Sequence, residues 1–246
     1  MILSAVAGSN MRQKFRVRVV DQFSYAHATR SLSFTPRWTT ETFQWLSPET
    51  LDTVPESEFL DVLDSMAGVG RTAVDVGAHC GFYSVLLSRL FRKVLAFEPS
   101  DYQHSLLLQN LECNHCDNVE PVPKAVGREA RDETLHVTGK SGGTNTLVPP
   151  DSDHPPLLTY SVAVEKLDAF NLRDLDFMKV DVEGYEAEVL LGGIETLERC
   201  RPTLLLESNL GSKSRARALQ ILDALGYGTG ACILRDRTDM LLFQSF

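Results

Sequence analysis

The chain has 246 residues, of which 43% are hydrophobic and 23% charged, and these ordinary globular proportions exclude a wholly disordered chain, collagen and a coiled coil. The 33 acidic against 24 basic residues leave a net charge of −9, which disfavours binding to nucleic acid because phosphate neutralisation needs a basic surface. No apolar run approaches the roughly 18 residues of a membrane span, and the apolar residues 1–8 are too short a run, with no basic residue before them, for a signal peptide. Five cysteines, few and odd in number, are most simply reduced thiols. We therefore expect a cytoplasmic protein without nucleic-acid or membrane partners, either a monomer or a homodimer.

Residues 1–50 show little regular pattern beyond an alternating stretch at 14–20. We interpret them as an N-terminal arm or lid, which either packs on the core or forms a flap over a substrate. Residues 51–246 are predicted to form one domain, since one strand–helix rhythm runs through them. An insertion at about 127–170 breaks that rhythm with further strands and a flexible loop.

The elements are predicted in chain order from apolar periodicity. Helices are expected over 56–66, 82–91, 101–111, 187–197 and 214–225. Strands are expected over 72–76, 94–97, 119–126, 135–137, 160–164, 177–182, 202–206, 230–234 and 240–243. Strand–helix alternation implies an α/β fold with a mostly parallel sheet covered on both faces. The last two strands have no helix between them, which indicates an antiparallel edge.

Carboxylates follow the predicted strands at the point where each strand ends. In open α/β sheets ligands lie beyond the carboxyl ends of the strands, so these side chains are candidates for a site. They are Asp75, Glu98, Asp181, Glu183 and Glu207. Glu98 lies 21 residues after Gly77, the offset at which an acidic residue meets ribose hydroxyls in a nucleotide-binding unit. Gly77 and Gly81 allow the tight turn that such a unit needs.

The charge at this turn discriminates between nucleoside cofactors. The turn over 77–81 lacks the middle glycine of the dinucleotide fingerprint, and Asp75 adds a negative charge. At about 4 Å a charge pair is worth on the order of 4 kcal/mol, which would oppose a pyrophosphate and favour a cation. S-adenosylmethionine carries a sulfonium and an ammonium group and therefore fits better than NAD. Asp75 as a helix N-cap and Glu98 as an exposed strand-end residue are the alternatives.

Several short segments carry a resemblance to a known family: 74–84, 96–100 and 178–186, followed by Arg201-Pro202 and Leu206-Glu207. They resemble the FkbM-type family of S-adenosylmethionine-dependent methyltransferases. The similarity covers about residues 56–209, and its most specific part is the K-x-D-x-E-G-x-E string that begins at Lys179. His79 stands where that family commonly has Asn. The resemblance implies a class I methyltransferase (Rossmann-like) fold with a mostly parallel seven-stranded sheet and an antiparallel edge strand. It also implies O-methylation of a sugar or small metabolite.

The resemblance further implies that the glycine turn holds the methionine part of the cofactor, Glu98 the ribose and Lys124–Val126 the adenine edge. The predicted cofactor-binding residues are Asp75, Gly77, Ala78, His79, Phe82, Tyr83, Ser84, Glu98, Pro99, Ser100, Ala125 and Asp181.

For catalysis we predict that Asp181 orients cofactor or substrate and that Glu183 is the general base, since a carboxylate in reach can take the proton of a hydroxyl. Strand alternation is expected to send both side chains to one face. Lys179, on the same face as Asp181, is expected to neutralise the acidic cluster. Candidate substrate contacts are Thr144, Asn145 and Glu207.

No metal is predicted, although a divalent ion held by Asp181, Glu207 and Asn209 is a weaker variant. The alternatives for function are an N-methyltransferase of a small amine and a non-catalytic nucleoside-binding scaffold.

Overall fold

The described part of the chain is built around a central sheet. The computed structural model describes residues 14–20, 23–34, 43–48, 62, 70–139, 143–209, 212–228, 230–235 and 238–244. Apart from Val62, the predicted helix over 56–66 lies outside these residues. None of the helices described in these ranges is long and apolar enough to cross a membrane.

Strands and helices alternate through much of the described chain. The strands are β1 Lys14–Val20, β2 Phe23–Phe34, β3 Phe43–Pro48, β4 Gly70–Val76, β5 Phe91–Phe97, β6 Val119–Val122, β7 Ala125–Val126, β8 Arg131–Val137, β9 Leu158–Glu165, β10 Leu175–Val180, β11 Thr203–Asn209, β12 Ala231–Arg235 and β13 Thr238–Phe243. The α-helices are α1 Phe82–Leu87, α2 Asp101–Cys113, α3 Glu186–Leu191, α4 Ile194–Cys200 and α5 Lys213–Ala224. A 3-10 helix covers Leu167–Phe170.

The main sheet has seven strands in the order β12-β13-β11-β10-β4-β5-β6. The pairs from β11 to β6 are parallel, whereas β13 is antiparallel to both β11 and β12. The predicted fold class is therefore confirmed, with the antiparallel strand one position in from the edge and β12 outside it. The chain runs outward from β4 to β6 and then returns to β10, so the strand order reverses between β4 and β10. Such a reversal opens a crevice where ligands bind in α/β sheets.

Apolar side chains cover both faces of this sheet. Val74, Leu95 and Met178 belong to one buried cluster, while Ala73 and Val94, adjacent in the chain to two of them, belong to the other. Successive residues of a strand point to opposite faces, so burial on both sides explains why these strands are almost continuously apolar in sequence.

Three predicted elements differ from the structure. The helix predicted over 82–91 ends at Leu87, because Phe91 begins β5, where its ring stacks on Phe177 with centroids 5.9 Å apart. The helix predicted over 187–197 is two helices divided at Gly192, where a Cβ would lie 2.0 Å from the Gly127 carbonyl oxygen. The strand predicted over 119–126 is divided between two sheets, since β7 joins β9 and β8 in a separate three-stranded sheet.

The N-terminal strands form an antiparallel sheet in the order β1-β2-β3, and β3 packs against α2. The Asn110 side chain of α2 accepts the Leu46 N–H at 2.7 Å and donates to the Leu46 carbonyl at 2.8 Å. It also donates to the Cys80 carbonyl at 2.8 Å. One buried amide thus joins β3 to the turn after β4. The division of the chain at residue 50 stays a prediction.

Candidate active site

A cavity of about 260 Å³ lies at the carboxyl ends of the central strands, where the strand order reverses. Its walls come from the turns after β4, β5 and β10, from β7 and β11, and from the insertion. The structure brings together in this wall twelve residues that the sequence singled out. They are Gly77, Ala78, His79, Phe82, Tyr83, Glu98, Pro99, Ala125, Asn145, Asp181, Glu183 and Glu207.

The glycine turn is held against two neighbouring strands. The N–H groups of Gly77 and Ala78 both donate to the Phe97 carbonyl at the end of β5, at 3.0 and 2.9 Å. Gly77 has φ +77°, and a Cβ on it would lie 1.8 Å from the carbonyl oxygen of Asp181. Only glycine combines this conformation with so close an approach of β10.

Glu98 presents a buried carboxylate to the cavity, with 6% of the residue exposed. Its Oε2 accepts the His79 N–H and its Oε1 accepts the Ser100 N–H, both at 2.8 Å. Burial raises the pKa of this carboxyl to about 7, although the two N–H groups favour the charged form. A carboxylate offers about four acceptor positions, so both oxygens keep capacity for further donors. This arrangement fits the two hydroxyls of a ribose.

Lys179 connects two carboxylates below and beside the cavity and is itself 1% exposed. Its Nζ lies 3.1 Å from Asp181 Oδ2, 3.7 Å from Asp75 Oδ1 and 4.6 Å from the centroid of the Tyr83 ring. Burial lowers the pKa of the ammonium, but the charges of Asp181, Asp75 and Glu207 outweigh it, and the pKa is raised. The expected neutralisation of the acidic cluster by Lys179 is therefore present.

Asp75 lies beneath the cavity rather than in its wall. It is completely buried, accepts the Ser84 hydroxyl at 2.6 Å and pairs with Lys179, and burial raises its pKa. The repulsion of a pyrophosphate that we expected from Asp75 is thus largely compensated by the ammonium. The negative charge of the cavity wall comes instead from the glutamates and Asp181.

Three further carboxylates line the cavity on the side of β10 and β11, whereas Glu98 lines it on the side of β5. They are Asp181, Glu183 and Glu207. The neighbouring Asp181 charge and burial raise the pKa of Glu207 to about 8, and the two carboxyl groups are hydrogen-bonded. Burial and the same Asp181 charge raise the pKa of Glu183 to about 7, while a hydrogen bond with Asn209 lowers it. A carboxyl group with a pKa near neutrality can accept a proton at the working pH.

Asp181 and Glu183 do face the same cavity, but strand alternation, the expected cause, is wrong. A strand through residue 182 would place them on one face, but β10 ends at Val180 and Glu183 lies in a turn with φ +51°. The Thr146 hydroxyl, from the insertion, donates to the Glu183 carbonyl at 2.8 Å. The position of Glu183 is therefore set by a turn whose backbone is held by a hydrogen bond.

Five predicted residues lie outside the cavity wall, and one of them is Lys124, which pairs with Glu165. Asp75 and Ser84 are buried beneath it, and Ser100 supports it by donating its N–H to Glu98. Thr144 is exposed, and its carbonyl oxygen accepts the Thr138 hydroxyl at 2.5 Å.

Sequence reasoning missed several wall residues. Leu135, Thr146 and Leu147 come from the insertion, whose polar and apolar pattern does not indicate which loop residues turn inward. Tyr185 also lines the cavity and could have been found, since it lies inside the K-x-D-x-E-G-x-E string.

The oxygen atoms that could hold a divalent ion do not converge on one point of the cavity. Asn209 hydrogen-bonds Glu183 and does not line the cavity. In the ranges that the structure describes, no group of three or more His, Cys, Asp or Glu side chains is arranged to hold a metal ion.

Comparisons with known proteins identify the family. Residues 75–228 match the methyltransferase FkbM domain family. Methyltransferase 1 of Beauveria bassiana is 28% identical over 141 residues, covering 48% of this chain and 57% of the relative. Methyltransferase sdnD of Sordaria araneosa is 26% identical over 203 residues, covering 68% of this chain and 75% of the relative.

Solved structures show the same fold. The FkbM methyltransferase of Methylobacillus flagellatus has a TM-score of 0.52 at 20% identity, covering 71% of this chain and 43% of its own. A Streptococcus mutans protein described as a methyltransferase, solved in complex with SAH, has a TM-score of 0.52 at 14% identity over 79% of this chain and 100% of its own. An rRNA methylase of Streptococcus thermophilus has a TM-score of 0.51 at 13% identity, covering 80% and 99%.

The chain belongs to the FkbM methyltransferase family, a class of S-adenosylmethionine-dependent methyltransferases. The family and the enzyme class predicted from the sequence are thereby confirmed, with S-adenosylmethionine as the cofactor. The chain spans 57% of the length of Methyltransferase 1 and 43% of the FkbM structure from Methylobacillus.

Proposed function

We propose that this protein transfers the methyl group of S-adenosylmethionine to a hydroxyl of a small metabolite or sugar. The observation that carries this proposal is the Glu183 carboxyl in the cavity wall, whose pKa is raised to about 7 beside Asp181. A hydroxyl must lose its proton when it attacks a methyl group, and this carboxylate is suited to receive it.

The residues of the cavity wall support one orientation of the cofactor. Glu98 is proposed to bind the ribose hydroxyls, as its two remaining acceptor positions allow. Ala125 and Pro99 supply an apolar wall for the adenine, and the glycine turn lies along the methionine part. The carboxylates at the β10 end then surround the positive charge of the sulfonium.

Bound S-adenosylmethionine supplies a methyl group that is already activated by the sulfonium. The protein therefore contributes mainly alignment, which converts an encounter of two molecules into a reaction within one complex. Lys179 holds Asp181 in a single orientation at 3.1 Å, and Thr146 fixes the backbone of Glu183. Glu183 takes the proton of the acceptor hydroxyl as the new carbon–oxygen bond forms and the bond between the methyl carbon and sulfur breaks, which leaves S-adenosylhomocysteine.

The acceptor is proposed to be a small molecule or a sugar rather than nucleic acid. The support is the net charge of −9 and a reaction cavity whose wall carries four carboxylate side chains with Lys179 as their counter-charge, since a phosphate backbone would meet repulsion there.

The cofactor assignment is tested by titrating S-adenosylhomocysteine into the protein by calorimetry. Glu98→Gln should weaken binding by roughly 10- to 100-fold, because a hydrogen bond to a charged group is worth about 1.5–3 kcal/mol. Glu120→Gln is the matched control, since Glu120 is exposed in a surface pair with Lys93. If both variants bind S-adenosylhomocysteine as tightly as the wild type, the assignment of Glu98 to the ribose is wrong.

The reaction is tested with radiolabelled methyl donor and pooled metabolites and oligosaccharides, followed by mass spectrometry of the labelled product. Glu183→Gln should lower turnover by about 10²- to 10⁴-fold while S-adenosylhomocysteine affinity changes little. Full activity of this variant would indicate an amine acceptor, which needs no strong base. Cofactor binding with no transfer to any acceptor would indicate a non-catalytic scaffold.

A further inference from the structure

A second groove, of about 720 Å³, adjoins the reaction cavity. It lies between β8, the segment around Val148 and the amino-terminal turns of α3 and α5. Leu147 and Tyr185 line both spaces, so these two side chains form the common wall. A molecule with its reacting atom at Glu183 would extend past Tyr185 into this groove.

The groove differs from the cavity in charge. Arg131, Lys213 and Arg217 line it together with two carboxylates, Glu133 and Glu188, which leaves an excess of one positive charge. In the cavity the wall carries four carboxylate side chains with Lys179. Two adjoining spaces of opposite charge therefore lie in a chain whose net charge is −9.

Two of the three cations are already paired. Arg131 lies 2.6 Å from Glu133 and Arg217 lies 2.6 Å from Glu188. Lys213, exposed at the start of α5, forms no ion pair with any residue that the structure describes. Its ammonium carries three N–H donors, which no described residue engages in an ion pair.

The common wall is also held in place from the groove side. Arg131, a residue of the insertion, interacts with the hydroxyl of Tyr185, so it supports the ring that separates the two spaces. A rigid aromatic ring next to a cation is a surface on which a polyhydroxylated molecule can pack.

We propose that this groove binds the carboxylate of an anionic, hydroxylated acceptor, with Lys213 as the residue that selects for the negative charge. The inference rests on the proposed function, because it places the reacting hydroxyl at Glu183 and the carboxylate beyond Tyr185. The acceptor class is thus a hydroxylated carboxylic acid, such as a sugar acid, rather than a neutral sugar.

The test uses gluconate and sorbitol, which share a carbon skeleton and differ in the carboxylate. Each is titrated by NMR into the protein loaded with S-adenosylhomocysteine. Gluconate should bind about tenfold more tightly than sorbitol, the size of one charge-assisted hydrogen bond, and added salt should reduce this preference. Lys213→Glu should abolish it.

Arg173→Glu is the matched control, because it makes the same charge change at an exposed residue before β10, at the opposite end of the strands. It should leave the preference for gluconate unchanged. Equal binding of gluconate and sorbitol, no binding of either, or an equal effect of the two variants would overturn the groove proposal. Loading with S-adenosylhomocysteine is measured in the same experiment, so a failure to load would instead count against the proposed function.

Discussion

Among the residues that the structure describes, the ammonium of Lys179 is the positive charge that pairs with both Asp75 and Asp181. Lys179→Met keeps much of the length of the side chain but leaves the fully buried Asp75 without a counter-charge. Breaking a buried pair by removing one partner costs about 3–5 kcal/mol. We therefore expect the free energy of unfolding in urea to fall by about that amount.

Lys93→Met is the control for this variant. Lys93 pairs with Glu120 on the surface, with about half of each side chain exposed, and such pairs contribute at most about 1 kcal/mol. A similar loss in both variants would show that Lys179 has no special role in the buried network.

At this scale the sequence predicted the residues better than their roles. The order of Asp75, Glu98 and Asp181 after successive strands was enough to bring two of them into one cavity wall. Whether a carboxylate lines the cavity or is paired beneath it depends on the side chains of neighbouring strands. Asp75, which pairs with Lys179, is the example. A single sequence does not contain that information, because it is set by neighbours that are far apart along the chain.

Among the elements, α2 connects the N-terminal sheet to the cavity. Asn110→Ala removes three hydrogen bonds, two to Leu46 and one to the Cys80 carbonyl of the glycine turn. Because this amide is fully buried, unfolding should become easier by about 2–3 kcal/mol. The affinity for S-adenosylhomocysteine should also decrease, since the turn loses a support.

Gln109→Ala tests whether this effect is specific. Gln109 lies next to Asn110 on α2, and the partner of its amide among the described residues is the Ser105 carbonyl of the same helix. It should change stability by less than about 1 kcal/mol and leave cofactor affinity intact. If both variants bind the cofactor like the wild type, the N-terminal sheet does not support the turn.

Element types were predictable from periodicity, and the errors have physical causes. The rhythm of strands and helices predicted β4, α2 and β11 correctly, because each carries a long apolar pattern. The break between α3 and α4 follows from contacts distant in the chain, since Gly192 packs against the Gly127 backbone and Gly193 against the Leu167 side chain. The separate sheet of β7, β8 and β9 depends on non-local pairing, which local patterns do not encode.

For the whole molecule, three raised pKa values determine how stability changes with pH. The pKa values of Glu98, Glu183 and Glu207 lie at about 7, about 7 and about 8 in the folded protein, against an ordinary value of 4.5. Between these values the folded state binds more protons than the unfolded state, so these groups make stability fall as the pH rises. We expect the Tm to decrease from pH 5 to pH 8.5.

The variant Glu207→Gln checks the origin of this slope. It removes one titrating carboxyl and should flatten the decrease in Tm between pH 5 and pH 8.5. A Tm that rises with pH over this interval in the wild type, or an unchanged slope in the variant, would contradict the assignment.

Gly77 has a consequence for chimeras between homologues. Its α-carbon touches the backbone that begins the acidic loop at Asp181, although about a hundred residues separate the two along the chain. A crossover placed between them would join parental segments that never coevolved at this contact. Recombined proteins should therefore take residues 70–77 and 175–181 from one parent, whereas a single crossover between these segments, even in the exposed stretch 151–155, divides the contact between two parents.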